Sequence, residues 1–320
     1  MPSRHPELSG PLRFAPFLRP MVWGGRRLAT ALGKPLPAEG PHGESWEVSD
    51  HATHRSVVSA GPHAGRSLRA LMEALPDELL GPAAHTTFPW LVKFIDAHDW
   101  LSVQVHPDEA AVRTLCPGEG SKTEAWFILH AEPGSRIFAG LLPGVEASHL
   151  REALAAGRVA DCLHSFAPRP GDCVFLPAGT VHAVGGGVLF AEVQQTSDAT
   201  FRLFDWGRDR PLHVEQSLAC IDWRQGPVAP VRAAPGVARQ ELVRCPYFTL
   251  EHLGGRTPFL LGGAGRLQVL IVLQGRGRLG DEAVGPGDVR VLPAAMGEVG
   301  LVPEPELGAL LCTLPFSPGS

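Results

Sequence analysis

PGDCVFLPAGTVH, residues Pro170–His182, reads as a turn, a short apolar strand, a second Gly/Pro turn and a histidine opening the return strand. Gly and Pro mark the turns because one permits unusual backbone angles and the other fixes φ. The second turn therefore decides which face His182 occupies. The motif's first part recurs as PGDVRVLPA at Pro286–Ala294, so P-G-D-x-x-x-L-P-A occurs twice. Upstream, TEAWFILH (Thr123–His130) lines up loosely with LQVLIVLQG (Leu267–Gly275). Two copies of one β module explain the pattern. The plainer alternative is a common turn and strand used twice.

Outward from the motif, the apolar segments are short and bounded by Gly, Pro, Asp or Ser. They include Trp46–Ser49, Trp90–Ile95, Leu101–Val105, Trp126–Leu129, Cys173–Leu176, Val188–Val193, Leu267–Leu273, Val289–Leu292 and Leu310–Leu314. Such spacing predicts a mainly β chain, a sandwich or barrel. Helical periodicity is confined to three places. Ser67–Leu80 has one apolar face, ended or kinked by Pro76. Ala147–Ala156 has Ser148 as its expected cap and Gly157 just beyond it. A third, short helix is expected from Pro107, with Asp108 and Glu109 in its first turn. Pro227–Arg239 (PVAPVRAAPGVAR) reads as a linker before a final segment.

Composition narrows the class. The 320 residues include 37 Gly and 31 Pro, which argues against a helical bundle, while 44% hydrophobic residues support a packed core. The length favours two domains. A net charge of −5 leaves no basic footprint for nucleic acid. No apolar run approaches the ~20 residues of a membrane helix. The start, MPSRHPELSG, lacks a signal peptide's apolar centre. The six cysteines are scattered without a CxxC pair and read as free thiols. A soluble cytoplasmic protein is expected, with no nucleic-acid or membrane partner. Among 28 Lys and Arg residues, Lys stands only at Lys34, Lys93 and Lys122.

The chemistry gathers around His182. In SVQVHPD, Ser102, Gln104 and His106 alternate with apolar residues and so share one strand face. Unpaired polar groups are costly inside a barrel, and a metal or substrate resolves that cost. Lys122 and Glu124, two apart in SKTEAW, again share a face. Gln104, His106, Glu124 and His182 form an N/O ligand set, suited to zinc first and to iron, manganese or cobalt next. With no cysteine beside them, the set reads as a catalytic site with open positions. Lys93 interrupts the apolar strand Leu91–Ile95, which is expensive unless it faces a polar cavity. Glu192 and Gln194 should also share a face and reach one cavity. Glu192 and Lys122 are the candidate bases, Lys122 if burial and metal lower its pKa. Gly185–Gly187 reads as a hairpin turn and not a phosphate cradle. Trp46 and Glu44, in the ESWE block, support the pocket floor or are ordinary core and edge residues. Lys34 falls in a Gly/Pro-rich surface loop and needs no role.

Gly171-x5-Pro177-x-Gly179-x2-His182 resembles the second motif of the cupin superfamily. The blocks FAPFLRPMVWGGRRL (Phe14–Leu28), GESWEVSDH (Gly43–His51), PWLVKFIDAHDWLSVQVHPDE (Pro89–Glu109), SKTEAWFIL (Ser121–Leu129) and Pro170–Arg208 resemble class I mannose-6-phosphate isomerases of the short bacterial form. The resemblance spans roughly residues 12–215. It implies a zinc-dependent aldose–ketose isomerase acting on mannose 6-phosphate and fructose 6-phosphate through an enediol or enediolate. It places one zinc on Gln104, His106, Glu124 and His182, and it implies a substrate phosphate for which Lys93, Ser102 and Lys122 are the candidates. It makes Arg202 a catalytic or electrostatic group over the substrate, and Asp198 a group for proton handling or for orienting Arg202. An ion pair of Arg202 with Asp198 or Asp205 is its plainer role.

The expected fold is two cupin-type jelly-roll barrels with a few short helices in or beside the N-terminal part. Residues 1–232 form a metal-binding catalytic domain with helical segments at about 65–80 and 146–157. Residues 233–320 form a degenerate copy: Glu298 stands where His182 does, Gln268 where Glu124 does and Ala295 where Gly179 does, so no metal is expected there. Another cupin sugar-phosphate isomerase, an Fe(II) cupin dioxygenase and a non-catalytic sugar-phosphate binder are the alternatives. The oligomeric state stays open.

Overall fold

Period-two alternation sorts most strands into two apolar faces. In Trp90–Ala97, Trp90, Val92 and Phe94 join one buried cluster while Ile95 and Ala97 join another. A strand buried on both faces reads as a near-continuous apolar run. The structure, a computed structural model, describes residues 6–82 and 85–315. The first residues of MPSRHPELSG, and both outer ends of the expected domain division, lie outside the described residues.

The chain is mainly β, and each expected strand segment falls on or overlaps a strand. One seven-stranded sheet runs in the order Phe17–Gly25, His42–Val48, Trp90–Ala97, Val188–Gln195, Glu124–Ala131, Asp172–Leu176, Val231–Arg232. A five-stranded sheet runs Phe201–Phe204, Val103–Val105, His182–Val184, Ile137–Leu141, Leu163–Phe166. Between them lies a core that includes Ile95, Trp126, Ile128, Ala139, Val184 and Phe190. A third sheet is built wholly from strands between Arg239 and Thr313. Its Val269, Ile271, Leu310 and Cys312 share a core with Val92, Phe127 and Ala191 of the first sheet and with Leu68 and Leu71 of the helical segment. All these pairings are antiparallel, and the strand orders are open and do not form rings.

The internal repeat is matched by strand register. Leu176 pairs with Glu124 in the first copy, and Leu292 pairs with Gln268 in the second. Gln268 uses its Oε1 to accept from Gly262 N at 2.9 Å.

The helical stretch over 65–80 is two helices, Leu68–Ala74 and Pro76–Leu80, divided at Pro76, which has no N–H to continue the first. Several other expectations need correction. The next helix is Ala147–Ala155. Ser148 does not cap it; Glu146 precedes it, and His149 Nδ1 accepts from Glu146 N at 3.4 Å. The third helix, Glu109–Leu115, begins two residues after Pro107, with Asp108 as its cap. Within the expected linker, Val231–Arg232 adds a strand beside Asp172–Leu176. Lys34 is not a surface residue. Its Nζ lies buried, 2.6 Å from Glu47 Oε2 and 2.7 Å from the Gly287 carbonyl of the second PGD turn. The six cysteines are free thiols. Among the described residues no helix is long and apolar enough to cross a membrane.

Candidate metal centre and substrate cavity

Strand register brings two rows of side chains to one place. In the first sheet, Trp46, Lys93, Glu192 and Trp126 stand opposite one another across four neighbouring strands. In the second, Arg202, Gln104 and His182 do the same across three. The rows meet where the Trp126 ring stands edge-on to His182, centroids 5.3 Å apart.

Backbone hydrogen bonds hold the ligand-bearing segments together. Gly179 N donates to His106 O (2.8 Å), Lys122 N to Pro107 O (3.1 Å), and Ala178 N to Thr123 Oγ1 (3.1 Å). The turn before His182 is thus tied to the segments carrying His106 and Glu124. Gly179 has φ +86°, a conformation that glycine adopts without a Cβ clash.

His106, Glu124 and His182 are buried, with one ligand atom from each lying within 4.8 Å of the others. Each imidazole has its Nδ1 on a carbonyl: His106 on Ala199 O and His182 on Thr180 O, both at 2.9 Å. That contact puts the proton on Nδ1 and leaves the Nε2 lone pair facing the group. Burial pushes the His182 imidazole down to about 3, and burial with Lys122 beside it lowers His106 too. Both rings are therefore neutral ligands at neutral pH. Burial alone would raise the Glu124 carboxyl, but the charges about it, the Lys122 ammonium first, outweigh burial and hold it well below the usual range. Its Oε1 is buried without a hydrogen-bond partner, while Oε2 lies 2.8 Å from Lys122 Nζ. Gln104 stands beside the set, its Nε2 3.2 Å from His182 Nε2 and its Oε1 accepting from Ser102 Oγ at 3.3 Å. Two neutral imidazoles, a carboxylate with an unused oxygen and an amide fit a borderline divalent metal.

Beside this group lies a cavity of about 290 Å³, with Gln104 of the four ligand candidates in its wall together with Lys122, which contacts Glu124 and His106. Lys93, Ser102, Gln104, Lys122, Glu192, Asp198 and Arg202 all line it, so these sequence candidates come together. Lys93 Nζ is 3.3 Å from Glu192 Oε1, and Trp126 Nε1 donates to Glu192 Oε2 at 2.9 Å. Burial raises the Glu192 carboxyl above its ordinary value despite Lys93. Burial opposes the Lys93 charge, yet Glu192, Glu44, Asp198 and Glu124 outweigh it and raise its pKa.

The sequence model for the phosphomannose isomerase type I catalytic domain matches residues 12–122. A mannose-6-phosphate isomerase of Streptococcus mutans is 34% identical over 308 residues, covering 89% of this chain and 93% of that one. The chain belongs to the mannose-6-phosphate isomerase family. The fold agrees: the crystal structure of the mannose 6-phosphate isomerase from Bacillus subtilis superposes with a TM-score of 0.85 at 26% identity, covering 95% of this chain and 99% of that one. A zinc-bound mannose 6-phosphate isomerase structure shares the fold at TM-score 0.73 and 17% identity, covering 94% and 99%.

In this isomerase some expected partners differ. Gln194 does not reach the cavity. Its Nε2 donates to the carbonyls of Gln195 and Ser197, bracing the turn before Asp198. Asp198 does not orient Arg202; it faces Arg19, with Oδ2 3.7 Å from NH1. Arg202 makes no ion pair with Asp205, which Arg208 and Arg210 occupy. Its NH1 donates to Pro211 O at 2.9 Å, and its Nε is buried without a partner. Trp46 and Glu44 do support the pocket: Trp46 Nε1 donates to Glu44 Oε2 at 2.6 Å, and Lys93 Nζ sits 5.0 Å above the Trp46 ring.

Sequence reasoning missed Arg19 and Arg210, which also line the cavity. For Arg19 the signal was present. Arg19, Met21 and Trp23 alternate in FLRPMVW, and all three line the cavity. Arg210 carried no comparable pattern.

Proposed function

We propose that this mannose-6-phosphate isomerase family member interconverts mannose 6-phosphate and fructose 6-phosphate, with one zinc ion held by Gln104, His106, Glu124 and His182. The observation that carries this reading is the pair of Nε2 lone pairs and the unused Glu124 oxygen, clustered beside a cavity lined by Arg19, Lys93, Lys122, Arg202 and Arg210. Bound zinc would supply Lewis-acid stabilisation of negative charge on oxygen as the enediol or enediolate forms.

The protein's own groups do the rest. From aldose to ketose, one proton leaves C2 and one arrives at C1, while O2 loses a proton and O1 gains one. Glu192 is the base at C2 because it lines the cavity and its raised pKa brings it toward the operating pH. Asp198, one-third exposed at the same cavity, handles the hydroxyl protons. Arg202 supplies positive charge to the substrate, since its donors are not spent on a carboxylate. Lys93, Lys122 and Ser102 complete the phosphate-facing set, with Lys93 and Lys122 also holding Glu192 and Glu124 ionised.

The two facing sheets of the N-terminal part form a cupin-type jelly roll, and the third sheet is a second one. The division falls near residues 232 and 233. The C-terminal copy covers the first and holds no metal. The chain works in the cytoplasm.

Metal analysis with a coupled assay tests the reading. Protein with stoichiometric zinc should isomerise mannose 6-phosphate, and chelation should abolish turnover reversibly. Full turnover in metal-free protein would falsify it.

A further inference from the structure

We propose that Arg19 is a positioning residue of the site, a clasp that holds the Asp198 carboxylate over the cavity. The inference rests on the proton-handling role given to Asp198 above.

Arg19 comes from the edge strand Phe17–Gly25, far in sequence from the catalytic blocks. It stands opposite Glu44 on the next strand, with NH1 3.1 Å from Glu44 Oε2. The same NH1 is 3.7 Å from Asp198 Oδ2, in the loop before Phe201–Phe204. The guanidinium lies over the Trp46 ring, 4.8 Å from its centroid. A planar cation fixed by stacking on one side and a carboxylate on another is pre-organised, which a flexible ammonium is not.

Glu44, Glu192 and Lys93 line the same cavity as Asp198, so charge of both signs surrounds it, and Lys93 is shared with Glu192, Glu44 and Glu124. Arg202, four residues on, spends NH1 on Pro211 O. Arg19 thus spans two walls of the cavity and supplies the cation that forms an ion pair with Asp198. At 3.7 Å the pair is an electrostatic contact beyond hydrogen-bond length, so it orients Asp198 without consuming its acceptor oxygens.

The test is a double-mutant cycle on the zinc-loaded, full-length protein, with kcat and KM for mannose 6-phosphate measured alongside zinc content and melting temperature. Arg19→Met should lower kcat about tenfold with KM within about twofold, and Arg19→Lys should recover part of the loss. Asp198→Asn should lower kcat at least as far, and adding Arg19→Met to it should cost almost nothing more. Effects that multiply independently, or an Arg19→Met enzyme with wild-type kcat, would overturn the clasp. An Asp198→Asn enzyme with wild-type kcat would overturn the Asp198 role and the clasp with it. Wild-type protein lacking isomerase activity would instead sink the function itself.

Discussion

Lys93 and Glu192 are cross-strand neighbours whose charged ends lie 3.3 Å apart, both buried, on the wall of the substrate cavity. The pair binds two requirements together. A carboxylate taken out of water needs a cation, and a base must not be held so strongly acidic that it loses affinity for a proton. Burial wins at Glu192, and its carboxyl sits above the ordinary value.

The pH profile should show this balance. Glu192 acts in its ionised form, so activity is present above its pKa and lost as pH falls through it. Because that pKa is raised, the acid limb of kcat/KM should lie above the 4.5 of an unperturbed carboxyl. Lys93→Met removes the nearest lowering charge and should move the limb to higher pH. A limb that stays in place in Lys93→Met would exclude Glu192 as the titrating base.

Metal binding should depend on the individual ligands. His182→Ala and Glu124→Gln should each reduce zinc affinity by more than the roughly 10–100-fold that loss of a supporting hydrogen bond costs. Isothermal titration of metal-free protein, with circular dichroism to confirm folding, measures it. Wild-type affinity in either variant would remove that residue from the centre.

Gly179 offers a backbone test of the same centre. Its φ of +86° is strained for any other residue, and a Cβ there would meet Asp222 Cβ at 3.0 Å and Asp222 N at 3.1 Å. Gly179→Ala should therefore cost about 1–2 kcal/mol from the left-handed backbone alone, with steric strain added. Urea unfolding gives the figure. The second repeat already carries Ala295 at this position, and Ala295 is not among the residues with positive φ. The reverse change, Ala295→Gly, should destabilise only slightly through added chain entropy.

How much of this was legible in the sequence follows from range. The ligand set was legible because its members lie in motifs with tight local spacing: Gln104 and His106 alternate, Lys122 and Glu124 alternate, and a two-turn motif presents His182. Register between strands was legible only through the repeat, which aligned Glu124 with Gln268. Ion pairs between distant segments left no local pattern. Asp198 and Arg202 suggested a pair by being four apart, yet the loop ahead of Phe201–Phe204 turns Asp198 toward Arg19. Lys34 looked like loop polarity because Glu47 and the Gly287 carbonyl are distant in sequence.

That buried Lys34 makes a stability prediction. Lys34→Met leaves the Glu47 carboxylate buried with Ser45 Oγ, at 2.6 Å, as its remaining side-chain donor. Breaking such a pair costs about 3–5 kcal/mol, whereas replacing both charges is often close to neutral. Lys34→Met should thus unfold at markedly lower urea, and Lys34→Met with Glu47→Leu should recover much of the loss. A single variant within about 1 kcal/mol of wild type would show that the pair contributes no more than an exposed one.

Arg202 should separate charge from geometry. Its Nε is buried without a partner, its NH1 is held by the Pro211 carbonyl, and it lines the cavity beside Gln104. Burial, with Arg210 and Arg208 nearby, lowers its pKa, so an added anion should relieve unfavourable positive charge at this wall. Arg202→Met should cut kcat/KM for mannose 6-phosphate by about 100–1000-fold, the usual loss for one pre-organised donor. Arg202→Lys keeps the charge but loses the fork, and should fall between the two. If Arg202 serves the phosphate alone, the loss should appear in KM. If it stabilises charge arising during proton transfer, kcat and kcat/KM should fall together. Steady-state kinetics on both variants decides between these, and wild-type values for Arg202→Met would remove it from the site.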